Sequence, residues 1–182
     1  MNWIKLEHLL LKAQPERAVT AEPTLNHAQL CEQALSLAAG LQAQGVRRIA
    51  VHLEDAADLA IALLGAWRAG VSVLLPADLQ AQTRQRWSTE VDLWLTDQAD
   101  DAHLSDYRHP PLIAAALDLD RCSLSLCTSG SSGERISFKM RPTSSSTVTW
   151  ISLLKLNASP HKAGSFAIRS ARCIYASAPS ST

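Results

Sequence analysis

The stretch RRIAVHLEDAADLAIALLGAWRAGVSVLLPAD, residues 47 to 78, decides the fold. Residues 48 to 53, RIAVHL, read as a strand, and Asp55 stands where a helix cap is needed ahead of an Ala/Leu-rich run that ends at Ala69-Gly70. Residues 71 to 75 are short and almost wholly apolar, as in a parallel strand buried on both faces. Strand, helix, glycine and strand make a βαβ unit, whose crossover is expected to be right-handed. Residues 59 to 77 carry a single charge, Arg68, but Gly65 and Gly70 interrupt the run and Pro76 ends it, so a helix followed by a strand explains it better than a membrane span.

Upstream, Asn26 offers a cap, and Leu30, Ala34, Leu37, Ala38 and Leu41 recur at helical spacing until Gly45. Before it, Trp3, Ile4, Leu6, Leu9, Leu10 and Leu11 predict a short amphipathic helix over residues 3 to 13, ended by Pro15 and followed by a loop through Pro23. Downstream, residues 80 to 88 predict a short polar helix and residues 91 to 96, VDLWLT, a further strand. Residues 97 to 109 are polar and read as a surface connection. Pro110-Pro111 opens a brief apolar stretch to Leu117, and Asp118-Leu119-Asp120 leads into SLSLCTSGSSG, residues 123 to 133.

In that last stretch Leu124 and Leu126 alternate with Ser123, Ser125 and Cys127, the period of a strand. Thr128, Ser129, Gly130, Ser131, Ser132 and Gly133 follow, all hydroxyls and glycines. Glycine lets backbone approach a ligand closely, and hydroxyls and N–H groups donate to phosphate oxygens, so a strand feeding this loop forms a candidate phosphate cradle. It lacks the Gly-Lys-Ser/Thr of a P-loop and the spacing of GxGxxG. The whole chain therefore reads as α/β, a mostly parallel sheet with flanking helices and its ligand site beyond the carboxyl ends of the strands.

The 182 residues are 47% hydrophobic with a net charge of zero, which gives no pull toward nucleic acid or an anionic membrane. Cys31, Cys122, Cys127 and Cys173 show no CxxC spacing, and Lys5 and Glu7 stand where a signal peptide needs apolar residues; a cytoplasmic protein with free thiols is expected.

Four stretches, in order, resemble the AMP-forming adenylating enzymes, the superfamily of acyl-CoA and aryl-CoA synthetases, carrier-protein adenylation domains and luciferases. LNHAQLCEQALSLAAGLQAQGV (25 to 46) is similar to that family's opening helix and Gly-Val step, and residues 47 to 78 to its strand, helix and second strand. VDLWLTD (91 to 97) resembles the strand before the signature loop, and SLSLCTSGSSGE (123 to 134) the ATP phosphate loop T-S-G-S/T-T/S-G-x-P-K. The resemblance implies an N-terminal subdomain of an adenylate-forming ligase that uses ATP and Mg²⁺: a small carboxylic acid attacks the α-phosphate, pyrophosphate leaves, and the acyl group passes to a thiol. It also implies that residues 128 to 133 hold the β and γ phosphates, preorganised donors acting on charge that builds on the leaving group. No catalytic residue is assigned by it, and no metal ligand.

The sequence departs from the family where Glu134-Arg135-Ile136 replaces x-Pro-Lys, so that an isoleucine holds the lysine position. Composition changes at the same place. Residues 1 to 135 hold all 17 acidic side chains against 11 Lys and Arg, whereas residues 136 to 182 hold six Lys and Arg and no acid; about six acids would be expected there at the earlier density. The chain thus divides into residues 1 to 134, the N-terminal part of an AMP-binding domain, and residues 135 to 182, an irregular basic, Ser-rich tail. An out-of-frame translation accounts for both changes at once. Moving one base near codon 135 should then restore Pro-Lys and a long open frame. The other reading is a native disordered tail, although Trp150, Ile151, Leu153, Leu154 and Leu156 form an apolar patch within it. These residues alone would lack the substrate pocket and closing domain of the family, giving an inactive ligase fragment or a non-catalytic nucleotide-binding or interaction remnant, with uncovered apolar surface favouring self-association.

Simpler readings cover the other reactive side chains. His27, His52, His103 and His109 have no ligand spacing and read as surface or hydrogen-bonded histidines. Cys122 and Cys127 read as small packing residues, Asp118 and Asp120 as a turn, Trp67 as core, and Glu54, Asp55 and Asp58 as charges suited to a helix start.

Overall fold

The computed structural model describes residues 4–21, 24–107 and 109–127, together with the backbone of strand Ser137–Met140. The central sheet contains β3 (Arg48–His52), β4 (Ser72–Leu75), β5 (Leu93–Thr96), β6 (Leu124–Cys127) and β7 (Ser137–Met140). A small antiparallel pair, β1 (Ala18–Thr20) and β2 (Leu25–Asn26), precedes it. The helices are α1 (His27–Ala43), α2 (Ala56–Ala69) and α3 (Ala81–Trp87). The sheet order is β5-β3-β4-β6-β7. The first four strands are parallel, as expected, and β7 runs antiparallel to β6.

Local chemistry sets the helix ends. Asn26 accepts from Gln29 N at 2.9 Å, and Gln29 Oε1 accepts from Asn26 N at 2.9 Å, a reciprocal capping box that satisfies two orphan donors of α1. Asp55 Oδ1 accepts from Ala57 N at 2.7 Å and Asp58 N at 3.1 Å and so starts α2. Gly70, at φ 77°, ends α2 in the left-handed conformation, and β4 begins two residues on. The apolar run at residues 59 to 77 is therefore helix, stop and strand. No described helix is long and apolar enough to cross a membrane.

Strand alternation divides the core between two faces. Ile49, Val51, Val73, Leu95 and Leu124 join the apolar sides of α1 and α2 in the larger cluster. Ala50 and Leu74 point the other way and meet Trp87 and Val91, with Trp94 and Cys127 at the margin. The chain steps from β3 to β4 through α2, then back across β3 to β5 through α3. Opposite directions of travel with one handedness require helices on opposite faces, and the two clusters show this arrangement. Both helices α1 and α2 lie on one side, with Gly65 of α2 close against Ala34 and Leu37 of α1.

Three parts of the chain differ from the sequence reading. Residues 3 to 13 are not an amphipathic helix: the described part holds one 3₁₀ turn, Leu6–His8, and a second turn closed by Leu11 N on His8 O at 3.1 Å. Three consecutive leucines cannot share one helical stripe, and here Leu10 is buried while Leu11 is exposed. The loop before α1 contains the β1–β2 pair, too short to show in periodicity. Within the polar connection, Tyr107 is buried against Gly40, where an added Cβ would stand 2.5 Å from its Cδ1. Ser36 Oγ holds this segment down through Tyr107 O at 2.9 Å and His109 O at 2.6 Å.

β7 lies in the stretch set apart by composition as tail. Its four residues continue the sheet in register, with Cys127 opposite Ser137 and Leu124 opposite Met140. Phe138 and Met140 alternate with Ser137 and Lys139, the period of a strand. The rest of the tail, residues 135, 136 and 141 to 182, lies outside the described residues.

Candidate functional site

Because β3, β4, β5 and β6 are parallel, their carboxyl ends emerge along one edge. The connection after β3 leaves toward α2 and the connection after β4 toward α3, on the opposite face. The edge between them is a topological switch point, where open α/β sheets bind ligands. β6 brings Cys127 to this edge, and the candidate residues Thr128, Ser129, Gly130, Ser131, Ser132 and Gly133 follow immediately. Those six lie outside the described residues. The pairing of Cys127 with Ser137 fixes where the intervening segment leaves the sheet and where it returns.

The described part of the edge is built around carboxylates used as ties. Asp97 Oδ2, after β5, accepts from Glu54 N, after β3, at 2.8 Å, joining two strand ends. Asp78, after β4, accepts from Gln80 N at 3.0 Å and Thr83 Oγ1 at 2.6 Å and so launches α3. Asp58 is held above the usual carboxylate range by burial, with Asp55 and Asp97 adding to the effect. A triphosphate would be repelled by this group.

A polar network at Asp101 escaped the sequence reading. Arg84 of α3 grips Asp101 with two hydrogen bonds, Nη1 to Oδ1 at 2.8 Å and Nη2 to Oδ2 at 2.5 Å, and its guanidinium carbon lies 4.8 Å from the centre of the Trp94 ring. Fully buried Thr96 donates to Asp101 Oδ2 at 2.6 Å and accepts from Gln98 N at 3.0 Å. These bonds fix the end of β5 to α3. The Arg84 hydrogen bonds hold the Asp101 carboxyl below the usual range against the opposing effect of burial, and the bond from Thr96 helps.

Asp101→Asn keeps the shape and removes the charge. It is expected to lower stability by about 1.5–3 kcal/mol at pH 7, since the lost bonds are charge-assisted. Because Asp101 titrates lower in the folded chain, its contribution is complete above the ordinary aspartate pKa of about 4 and disappears as pH falls through the folded value. Urea unfolding of both proteins at pH 7 and pH 3 should show the gap close in acid; a constant gap would refute the charge argument.

The remaining side chains keep structural roles. Burial pushes the Cys122 thiol up to about 12, with Asp118 adding, and its Sγ donates to Asp118 O at 3.3 Å, which is unsuited to a nucleophile. Asp118 Oδ1 accepts from Asp120 N at 3.1 Å, the expected turn. Trp67 is buried and donates from Nε1 to Ser123 O at 3.2 Å, which pins the start of β6. Of the histidines, His109 is exposed and His27 is buried and hydrogen-bonded. Among the described residues no three His, Cys, Asp or Glu side chains gather as a metal ion would require.

No protein-family model matches the sequence, and a search of curated proteins returns no match. Solved structures do. The o-succinylbenzoate CoA synthetase MenE of Bacillus subtilis superposes with a TM-score of 0.57 at 18% identity, covering 74% of this chain and 33% of that one. The McyG adenylation and carrier di-domain in complex with phenylalanyl-adenylate gives 0.58 at 19% identity, covering 78% and 33%. The N-terminal subdomain of Klebsiella oxytoca NpsA gives 0.51 at 19%, covering 65% and 35%. The fold is thus that of the N-terminal part of an adenylation domain. The chain spans about a third of the length of the structures it matches.

Proposed function

We propose that this chain is the N-terminal part of the nucleotide-binding domain of an AMP-forming acid–thiol ligase, with Thr128, Ser129, Gly130, Ser131, Ser132 and Gly133 as its ATP phosphate loop. The observation that carries this reading is the position of Cys127: β6 delivers TSGSSG to the carboxyl edge of a sheet that shares its fold with adenylation domains. MenE has been solved with the acyl-adenylate intermediate OSB-AMP, which agrees with ATP-dependent activation of a carboxylic acid. In that chemistry the carboxylate attacks the α-phosphate, pyrophosphate leaves with Mg²⁺ sharing its charge, and the acyl group moves to a thiol.

The 182 residues by themselves hold ATP phosphates without completing adenylation. Ile136 cannot supply the charge that a lysine brings at that position, and the matched structures are about three times longer. One phosphate loop does not position both reactants. Calorimetric titration with Mg·ATP should give a binding signal that Gly130→Val abolishes, while pyrophosphate exchange with a panel of carboxylic acids stays at background. Absence of ATP binding would overturn the site assignment, and exchange above background would overturn the division between binding and catalysis.

A further inference from the structure

The imidazole of His27 is 3% exposed and lies at the first residue of α1, facing the N-terminal segment. Its Nδ1 accepts from Gln14 N at 3.1 Å, and the ring also hydrogen-bonds the Leu9 carbonyl. An Nδ1 that accepts carries no proton, so the single proton of the neutral ring sits on Nε2. One neutral ring thereby ties two points of the segment to α1. Cys31, one turn along, donates its thiol to the same Leu9 O at 3.5 Å, with its Sγ 3.7 and 3.8 Å from the two ring nitrogens.

We propose that His27 makes residues 4 to 17 a latch that is closed at neutral pH and opens in mild acid. A second proton on the ring must sit on Nδ1, opposite the Gln14 N–H, replacing an accepted bond with two donors face to face. The charge facing the ring is Arg17, just before β1, which opposes a second positive charge, and Cys31 is the other titratable group beside it. The ring therefore stays neutral while the latch is closed and takes up its proton once the segment has lifted into water. Burial first, then Arg17, lowers the His27 pKa in the closed form. Closure is complete above the ordinary histidine pKa of about 6.5 and is lost as pH falls toward the lowered value. Other ties of the described segment include buried Leu10, Leu6 and Leu9 packed against the core, Cys31 Sγ on Leu9 O at 3.5 Å, Leu117 N on Glu7 O at 2.9 Å, and His27 N on Arg17 O at 2.8 Å. Opening uncovers the side of α1 that carries Cys31.

Amide hydrogen exchange of the full chain at pH 7.5 and 5.5, corrected for intrinsic rates, tests this at Gln14. With an open-state histidine pKa of about 6.5, the opening constant can rise by at most about tenfold between pH 7.5 and 5.5, so Gln14 protection should fall by several-fold, up to about tenfold. His27→Gln can still donate and accept but does not titrate; its Gln14 protection, whatever its level, should be the same at both pH values. Wild-type protection that does not change with pH would overturn the proposal. So would a parallel fall in His27→Gln, which would place the titration elsewhere.

Discussion

Gly65→Leu is expected to destabilise the chain by about 3 kcal/mol or more, a large fraction of the roughly 5–15 kcal/mol that holds a domain together. The position lies where α2 meets α1. A Cβ there would stand 2.8 Å from Ala34 O, 2.8 Å from Leu37 Cδ2 and 3.1 Å from Leu37 Cβ. The leucine tip can turn away. The Ala34 carbonyl is part of the α1 backbone and moves only with the helix. Two effects compete: alanine at an exposed helical glycine would gain about 1 kcal/mol of helix propensity, while overpacking costs about 1–3 kcal/mol. For Gly65→Ala the terms offset in part and a small loss is expected; for Gly65→Leu three further carbons have no room. Urea midpoints of the two variants should fall in that order. A Gly65→Leu midpoint equal to wild type would mean that α1 and α2 do not approach as described.

Trp67→Ala is expected to cost about 3–5 kcal/mol, the range for removing a large buried aromatic side chain. The loss combines a cavity between α2 and the sheet with one of the two hydrogen bonds on the Ser123 carbonyl, which keeps Val73 N at 3.1 Å. Trp67→Phe separates the two, since it keeps most of the packing and removes the N–H donor; about 1 kcal/mol is expected for it. The candidate site is affected as well, because Ser123 immediately precedes the strand that ends at Cys127. Amide exchange along Leu124–Cys127 should accelerate in Trp67→Ala more than in β3. Uniform acceleration would show a general loss of stability and no special hold on β6.

The parallel sheet was legible because its signals are local. Asp55 can accept from Ala57 N and Asp58 N only at a helix start, Gly70 takes a φ few other residues tolerate, and Val71 to Leu75 has no polar face to present to water. The N-terminal segment was misread because Trp3, Leu6 and Leu10 suggest a helical stripe that Leu9, Leu10 and Leu11 in succession do not keep, and Leu10 is buried by a turn held on α1. The Asp101 network was invisible for another reason. Arg84, Trp94, Thr96 and Asp101 come from a helix, a strand and a loop, and no spacing rule connects them.

The sequence by itself determined a strand, Leu124 to Cys127, followed in the chain by a run of hydroxyl residues and glycines, and a change of composition after Glu134. Periodicity, caps and glycines act over a few residues, so they can be read along the chain. Only the tertiary structure decided where that strand lies. It is placed beside β4, one strand from the switch point between β3 and β4, with β7 returning antiparallel on its other side, because strand order depends on which apolar faces α1, α2 and α3 must cover together. The same packing turned His27, an unremarkable histidine in the sequence, into a neutral ring that holds the N-terminal segment in place.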